Sequence, residues 1–129
     1  MKRWIFLIPL FLALLVHAPA IRGDFVWDDA IVTKRQVVAF KTVEDVFLPP
    51  EQIPQWAQNY YRPMIVASYL LDQQLFGPNA TVGPHLTNIF FHMVVTLFVY
   101  VFAMQCLRNL PHQRWGACLA AILFAVHPI

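Results

Sequence analysis

LTNIFFHMVVTLFVYVFAMQCL, residues 86–107, contains no Lys, Arg, Asp or Glu. About 20 mainly apolar residues suffice for a helix to cross the hydrocarbon core of a bilayer, so this stretch reads as a membrane span. Its flanks point the same way. On its amino-terminal side lies a polar segment holding every acidic residue of the chain. On its carboxy-terminal side, Arg108 and Arg114 border a short loop before a new apolar run.

The whole chain agrees with that reading. Of its 129 residues 59% are hydrophobic and 12% charged, and the mean hydropathy is +0.55. Soluble domains are about 45–50% apolar and about 25% charged, so a water-soluble globule is a poor fit and a disordered chain a worse one. A net charge of +2 does not suit a nucleic-acid binder. Two cysteines, Cys106 and Cys118, are too few for a disulfide framework or a four-thiolate metal site. Both read as small apolar packing residues.

Two further apolar runs flank the decisive one. WIFLIPLFLALLVHAPA, residues 4–20, is slightly short for a span, and Lys2, Arg3 and the Ala18-Pro19-Ala20 triplet also fit a cleaved signal peptide. WGACLAAILFAVHPI, residues 115–129, reads as the start of a third span. It is shorter than a crossing requires, so the chain reads as the amino-terminal part of something longer. The expected fold is an all-α membrane protein. Its parts are a first transmembrane helix or signal anchor over 1–20, an extracytoplasmic loop over 21–85, a second transmembrane helix over 86–107, a cytoplasmic loop over 108–114, and a third helix begun at 115–129.

Charge sets the orientation. Lys2, Arg3, Arg108 and Arg114 mark the cytoplasmic side by the positive-inside rule. The seven acids, all from Asp24 to Asp72, then face the periplasm or lumen. A long loop usually has structure or function of its own, and short interfacial helices are expected in this one. Thr42, Glu44 and Asp45 open one such helix, with Val43, Val46 and Phe47 on its apolar side. Pro63 suits the first turn of another, MIVASYLLDQQLF, which Gly77, Pro78, Gly83 and Pro84 close.

Three polar groupings are candidates for chemistry. GDFVWDDAIV, residues 23–32, puts Asp28 and Asp29 near the membrane surface behind the interfacial aromatics Phe25 and Trp27. A neighbouring acid pair also occurs as solvated loop residues or a helix cap. His85, Asn88, His92 and Thr96 recur at helical spacing on the second span; such a face binds phosphate or hydroxyl, or bonds to neighbouring helices, the latter being the reading for Thr96. QNYYRPM, residues 58–64, offers Arg62 for a phosphate and Tyr61 for a sugar, or both as membrane anchors. Two histidines seven apart fall short of a zinc site, and no metal site is assigned. Asn79-Ala80-Thr81 matches a glycosylation acceptor pattern.

Taken in order, FVWDD (25–29), YRPM (61–64), LLDQQLFGPNATVGPHLTNIFFH (70–92) and WGACLAAILFAVHPI (115–129) carry a resemblance. The chain resembles the amino-terminal region of the polytopic GT-C glycosyltransferases of the tetratricopeptide-repeat type, which include the transmembrane O-mannosyltransferases. The resemblance implies transfer of a sugar from a polyprenyl-phosphate carrier to a hydroxyl on an exported protein. The family's acidic pair corresponds to Asp28 and Asp29, with Asp28 expected as the base. Arg62, Tyr61, His85, Asn88 and His92 are expected to bind substrate. A divalent cation is left open, and no nucleic acid is expected among the partners. The implied location is the bacterial inner membrane or the endoplasmic reticulum. The chain departs from the family in having two or three spans instead of many, and in lacking the helical repeats. As a fragment it would be inactive alone. A non-catalytic membrane subunit and a transporter fragment are the competing readings.

Overall fold

The computed structural model describes residues 4–26, 40, 42–48, 62–78 and 80–127. Every regular element among them is helical. In chain order these are α1 (Leu7–His17), a 3-10 turn (Ala18–Arg22), α2 (Val43–Phe47), α3 (Pro63–Phe76), α4 (Val82–Cys106) and α5 (Gln113–Val126). The chain divides into two compact units, one of residues 1–21 with 88–129 and one of residues 22–87.

Among the described residues α4 is the one helix long and apolar enough to cross a membrane, with 25 residues and a mean hydropathy of 2.0. At 1.5 Å per residue it extends about 37 Å, beyond the roughly 30 Å of hydrocarbon. It begins four residues before the apolar run, so Gly83 and Pro84 lie in its first turn instead of in the preceding loop. A proline is tolerated there because the first N–H groups of a helix have no partner within it. The third apolar run does form a helix, α5, of 14 residues.

In the first unit small residues let helices approach closely. Ala117, Cys118, Ala121 and Ala125 are the buried residues of α5, and Pro9 and Ala13 those of α1. These two helices pack together. Small side chains at such a seam bring backbones near and gain dispersion energy without needing water as a driving force. Cross-contacts set the directions. Cys118 Sγ, near the start of α5, lies 3.7 Å from the Ile5 carbonyl just before α1. His17, at the end of α1, reaches the Ala125 carbonyl at the end of α5. Those two helices are therefore parallel. The Phe6 ring meets Tyr100 and the His17 ring meets His92, so α4 runs antiparallel to both.

The faces of α4 differ. Ile89, Thr96 and Ala103, seven residues apart, are buried. Phe91, Val95, Phe98 and Phe102 form an outward stripe, with Phe102 71% exposed. Large apolar side chains in an unbroken exposed row are costly in water and suit lipid. The turn from α4 to α5 is tight. His112 adopts a left-handed conformation (φ 61°), and its carbonyl accepts from the N–H groups of Trp115 and Gly116.

The second unit is held by a small core, a reciprocally capped start of α2 and a proline at the start of α3. The Thr42 N–H donates to Asp45 Oδ2 (2.8 Å), and the Asp45 N–H donates to Thr42 Oγ1 (3.2 Å). This reciprocal pair satisfies two backbone donors that the first turn of α2 would leave open. Val46 is fully buried with Phe40 and Val66, and Ala67 and Leu70 pack against them. Phe47, assigned by its spacing to the apolar side, is exposed. Helix α3 starts at Pro63 as the sequence suggests, with the Arg62 carbonyl accepting from Ile65 and Val66. It ends at Gly77, whose φ of 98° is open to glycine and strained for any other residue.

Candidate functional site

Part of the 70–92 stretch that carries the family resemblance folds against itself. Within the second unit, Asp72 on α3 is 4% exposed, and its Oδ1 accepts the Thr87 hydroxyl at 2.7 Å. A buried carboxylate without a donor would lose several kcal/mol of solvation. Thr87 therefore fixes the point on α4 against which α3 can rest. Gly83, one turn earlier, makes the approach feasible. A Cβ there would stand 2.8 Å from Cδ2 of Phe76 and 3.0 Å from Cβ of Asp72. The letters D, F, G and T of the 70–92 motif thus describe one helix–helix junction.

His85 sits two residues before Thr87 and is half-buried. Its Nε2 donates to the Gly23 carbonyl at 3.1 Å. A carbonyl only accepts, so this bond requires hydrogen on Nε2 and leaves Nδ1 as the free nitrogen of the neutral ring. The bond also ties Gly23 to the head of α4. Asp28, Asp29 and Tyr61 lie outside the described residues, as does Asn79. Arg62 stands at the amino-terminal end of α3 with its side chain exposed.

Within the first unit, His92 is held on three sides. Its Nε2 donates to the Ala125 carbonyl at 3.1 Å. Its ring stacks on Phe124, with centroids 5.3 Å apart and planes 22° apart. The His17 ring meets it edge-on at 4.5 Å. His17 Nε2 points at the same Ala125 carbonyl, 3.3 Å away. Ala125 belongs to the last turn of α5, whose carbonyls have no partner further along the helix; two imidazoles supply donors there. Asn88 is exposed, so it does not join this cluster. Thr96 is fully buried, and its hydroxyl donates to the His92 carbonyl at 2.8 Å, one turn back on its own helix. The interhelical bond expected of it is replaced by an internal one, which Thr adopts readily in apolar helices.

His17 was not among the sequence candidates. Its place at the end of an apolar run made it look like part of a span or leader. The only signal was a lone polar residue in that run, and nothing in the sequence paired it with His92. Cys118 is buried as a small apolar residue would be, whereas Cys106 is exposed. Among the described residues no group of three or more His, Cys, Asp or Glu is arranged to hold a metal ion.

Comparison with known proteins adds a common thread. The chain is 30% identical over 123 residues to protein O-mannosyl-transferase Tmtc1 of Drosophila melanogaster, covering 91% of this chain and 14% of that protein. The relatives it matches carry the name protein O-mannosyl-transferase. Another, F38B6.6 of Caenorhabditis elegans, is 31% identical over 132 residues, covering 95% of this chain and 18% of the relative. Mouse TMTC4 is 28% identical over 141 residues, covering 98% and 19%. The chain thus corresponds to less than a fifth of the length of these protein O-mannosyl-transferases, and it matches them along nearly all of its own length. The resemblance read from the motifs is therefore to the right group of proteins. No family model and no solved structure matches the chain.

Proposed function

We propose that this chain serves as the region of a membrane glycosyltransferase that carries the reacting carboxylates. The observation that carries the reading is its match, over about nine-tenths of its length, to protein O-mannosyl-transferases. In this reading α1, α4 and α5 belong to spans within 1–20, 86–107 and 115–129. Residues 21–85 lie outside the cytoplasm with α2 and α3 at the lipid interface, and residues 108–114 lie inside. The parallel course of α1 and α5, with α4 opposed, supports such a topology, and so does the outward aromatic stripe of α4.

The chemistry is transfer of a sugar from a polyprenyl-phosphate carrier to a Ser or Thr hydroxyl of an exported protein. The acceptor oxygen bonds to the anomeric carbon as its proton passes to the Asp28 carboxylate. The bond from that carbon to the phosphate oxygen breaks, and the phosphate leaves with the electron pair. A carboxylate is ionised at neutral pH, and a phosphate leaving group needs no strong acid. Asp29 shapes the field beside Asp28 or binds a cation. Arg62 and His85 offer donors for the charge growing on the phosphate. Tyr61, Asn88 and His92 contact the sugar or carrier. The bond from His85 to Gly23 supports this reading because it holds the residue five before Asp28 in sequence at the head of α4.

Mass spectrometry of exported proteins from cells with and without the gene tests it. Hexose on Ser or Thr that disappears with the gene is the expected result. Identical glycopeptide profiles would remove the proposal.

A further inference from the structure

His92 is clamped in a manner that a merely packed histidine does not require. Phe124 covers one face of its ring, the His17 ring abuts it edge-on, and Nε2 is held on the Ala125 carbonyl. Neither imidazole makes any other hydrogen bond among the described residues. All three neighbours belong to the first unit, whose sequence contains no Asp or Glu. No carboxylate within that unit can therefore take the remaining nitrogen. For an imidazole, the nitrogen that carries hydrogen is set by the partner of the other. The Ala125 carbonyl selects Nε2–H, and Nδ1 of His92 is left as an acceptor on a half-buried ring.

We propose that His17 is a positioning residue for His92: its ring packing holds His92 in the Nε2–H tautomer and keeps Nδ1 ready to accept a hydrogen bond from a ligand hydroxyl. The inference rests on the proposed function for the class of that ligand, a sugar or polyol hydroxyl. The positioning itself stands on the geometry. His17 acts through the ring edge it presents: the bond that sets the tautomer is made by His92 itself at 3.1 Å, and His17 Nε2 shares that carbonyl at the longer 3.3 Å. An aromatic ring of another kind at position 17 preserves the clamp, and a methyl group does not.

The test is imidazole nitrogen NMR of the full chain, labelled at histidine, in lipid nanodiscs at mildly alkaline pH. Wild type and His17→Phe are expected to show His92 with hydrogen on Nε2 alone. His17→Ala is expected to show averaging between the two tautomers at His92, with helical content unchanged by circular dichroism. Should His17→Ala lose its helices, His92 is read in His17→Leu, which fills the space without an aromatic edge and is expected to average likewise. A wild-type His92 protonated on Nδ1 overturns the proposal. So does an unaveraged Nε2–H tautomer in folded His17→Ala or His17→Leu. Loss or retention of glycan transfer in His92→Ala bears on the proposed function separately, since the tautomer is read without any substrate.

Discussion

The Thr87 hydroxyl donates to the buried Asp72 carboxylate at 2.7 Å, joining α3 to the first turns of α4. This bond joins the two ends of the 70–92 stretch that resembles the family, and it gives them a physical reason to occur together. Thr87→Val keeps the shape and removes the donor. Asp72 then stays buried without its partner, at a cost of about 1–3 kcal/mol. Thermal unfolding followed by circular dichroism in detergent should show Thr87→Val melting below wild type, and Thr87→Ser melting close to it.

Two glycines near that junction should respond to Ala for different reasons. At Gly83 the new Cβ meets the Phe76 ring at 2.8 Å and Asp72 at 3.0 Å, so α3 must shift and the junction loosens. At Gly77 nothing lies within 4 Å, but φ is 98°. Gly77→Ala therefore meets backbone strain of about 1–3 kcal/mol with the junction intact. Hydrogen exchange separates the cases: Gly83→Ala should speed exchange in both α3 and the start of α4, and Gly77→Ala chiefly at the end of α3.

Thr96→Val should be nearly silent. The hydroxyl serves only its own helix, where the His92 carbonyl keeps the backbone partner available to it. A change in stability within about 1 kcal/mol is expected, with transfer activity unaltered. A large loss of activity with normal folding would show that Thr96 reaches substrate.

The proposed orientation rests on the placement of charge. With Cys106→Ser and Cys118→Ala as background, a cysteine at exposed Asp24 should react with a membrane-impermeant maleimide from the extracytoplasmic side. One at exposed Leu110 should react only after the membrane is opened. Reversed labelling would place the acidic stretch in the cytoplasm.

The long apolar helix α4 was legible because of its uncharged apolar length, and Pro63 and Thr42 announced the starts of α3 and α2 through local chemistry alone. Gly83 and Pro84 misled because the same residues that end helices also sit in first turns. Phe47 misled because a five-residue helix buries too little of its surface to honour every apolar position. In the candidate site, the histidine spacing on α4 was readable, but its partners were not. Gly23 for His85, and His17 and Ala125 for His92, are contacts across 62, 75 and 33 residues of chain that no local pattern encodes.

Asp28 bears the central claim. Membranes expressing the gene with Asp28→Asn, assayed with a polyprenyl-phosphate sugar and a Ser/Thr acceptor peptide, test it most directly. Removing a general base typically lowers a rate by about 10²–10⁴; a loss of that size, at unchanged protein level and helicity, is the result expected. Transfer at the wild-type rate would contradict it.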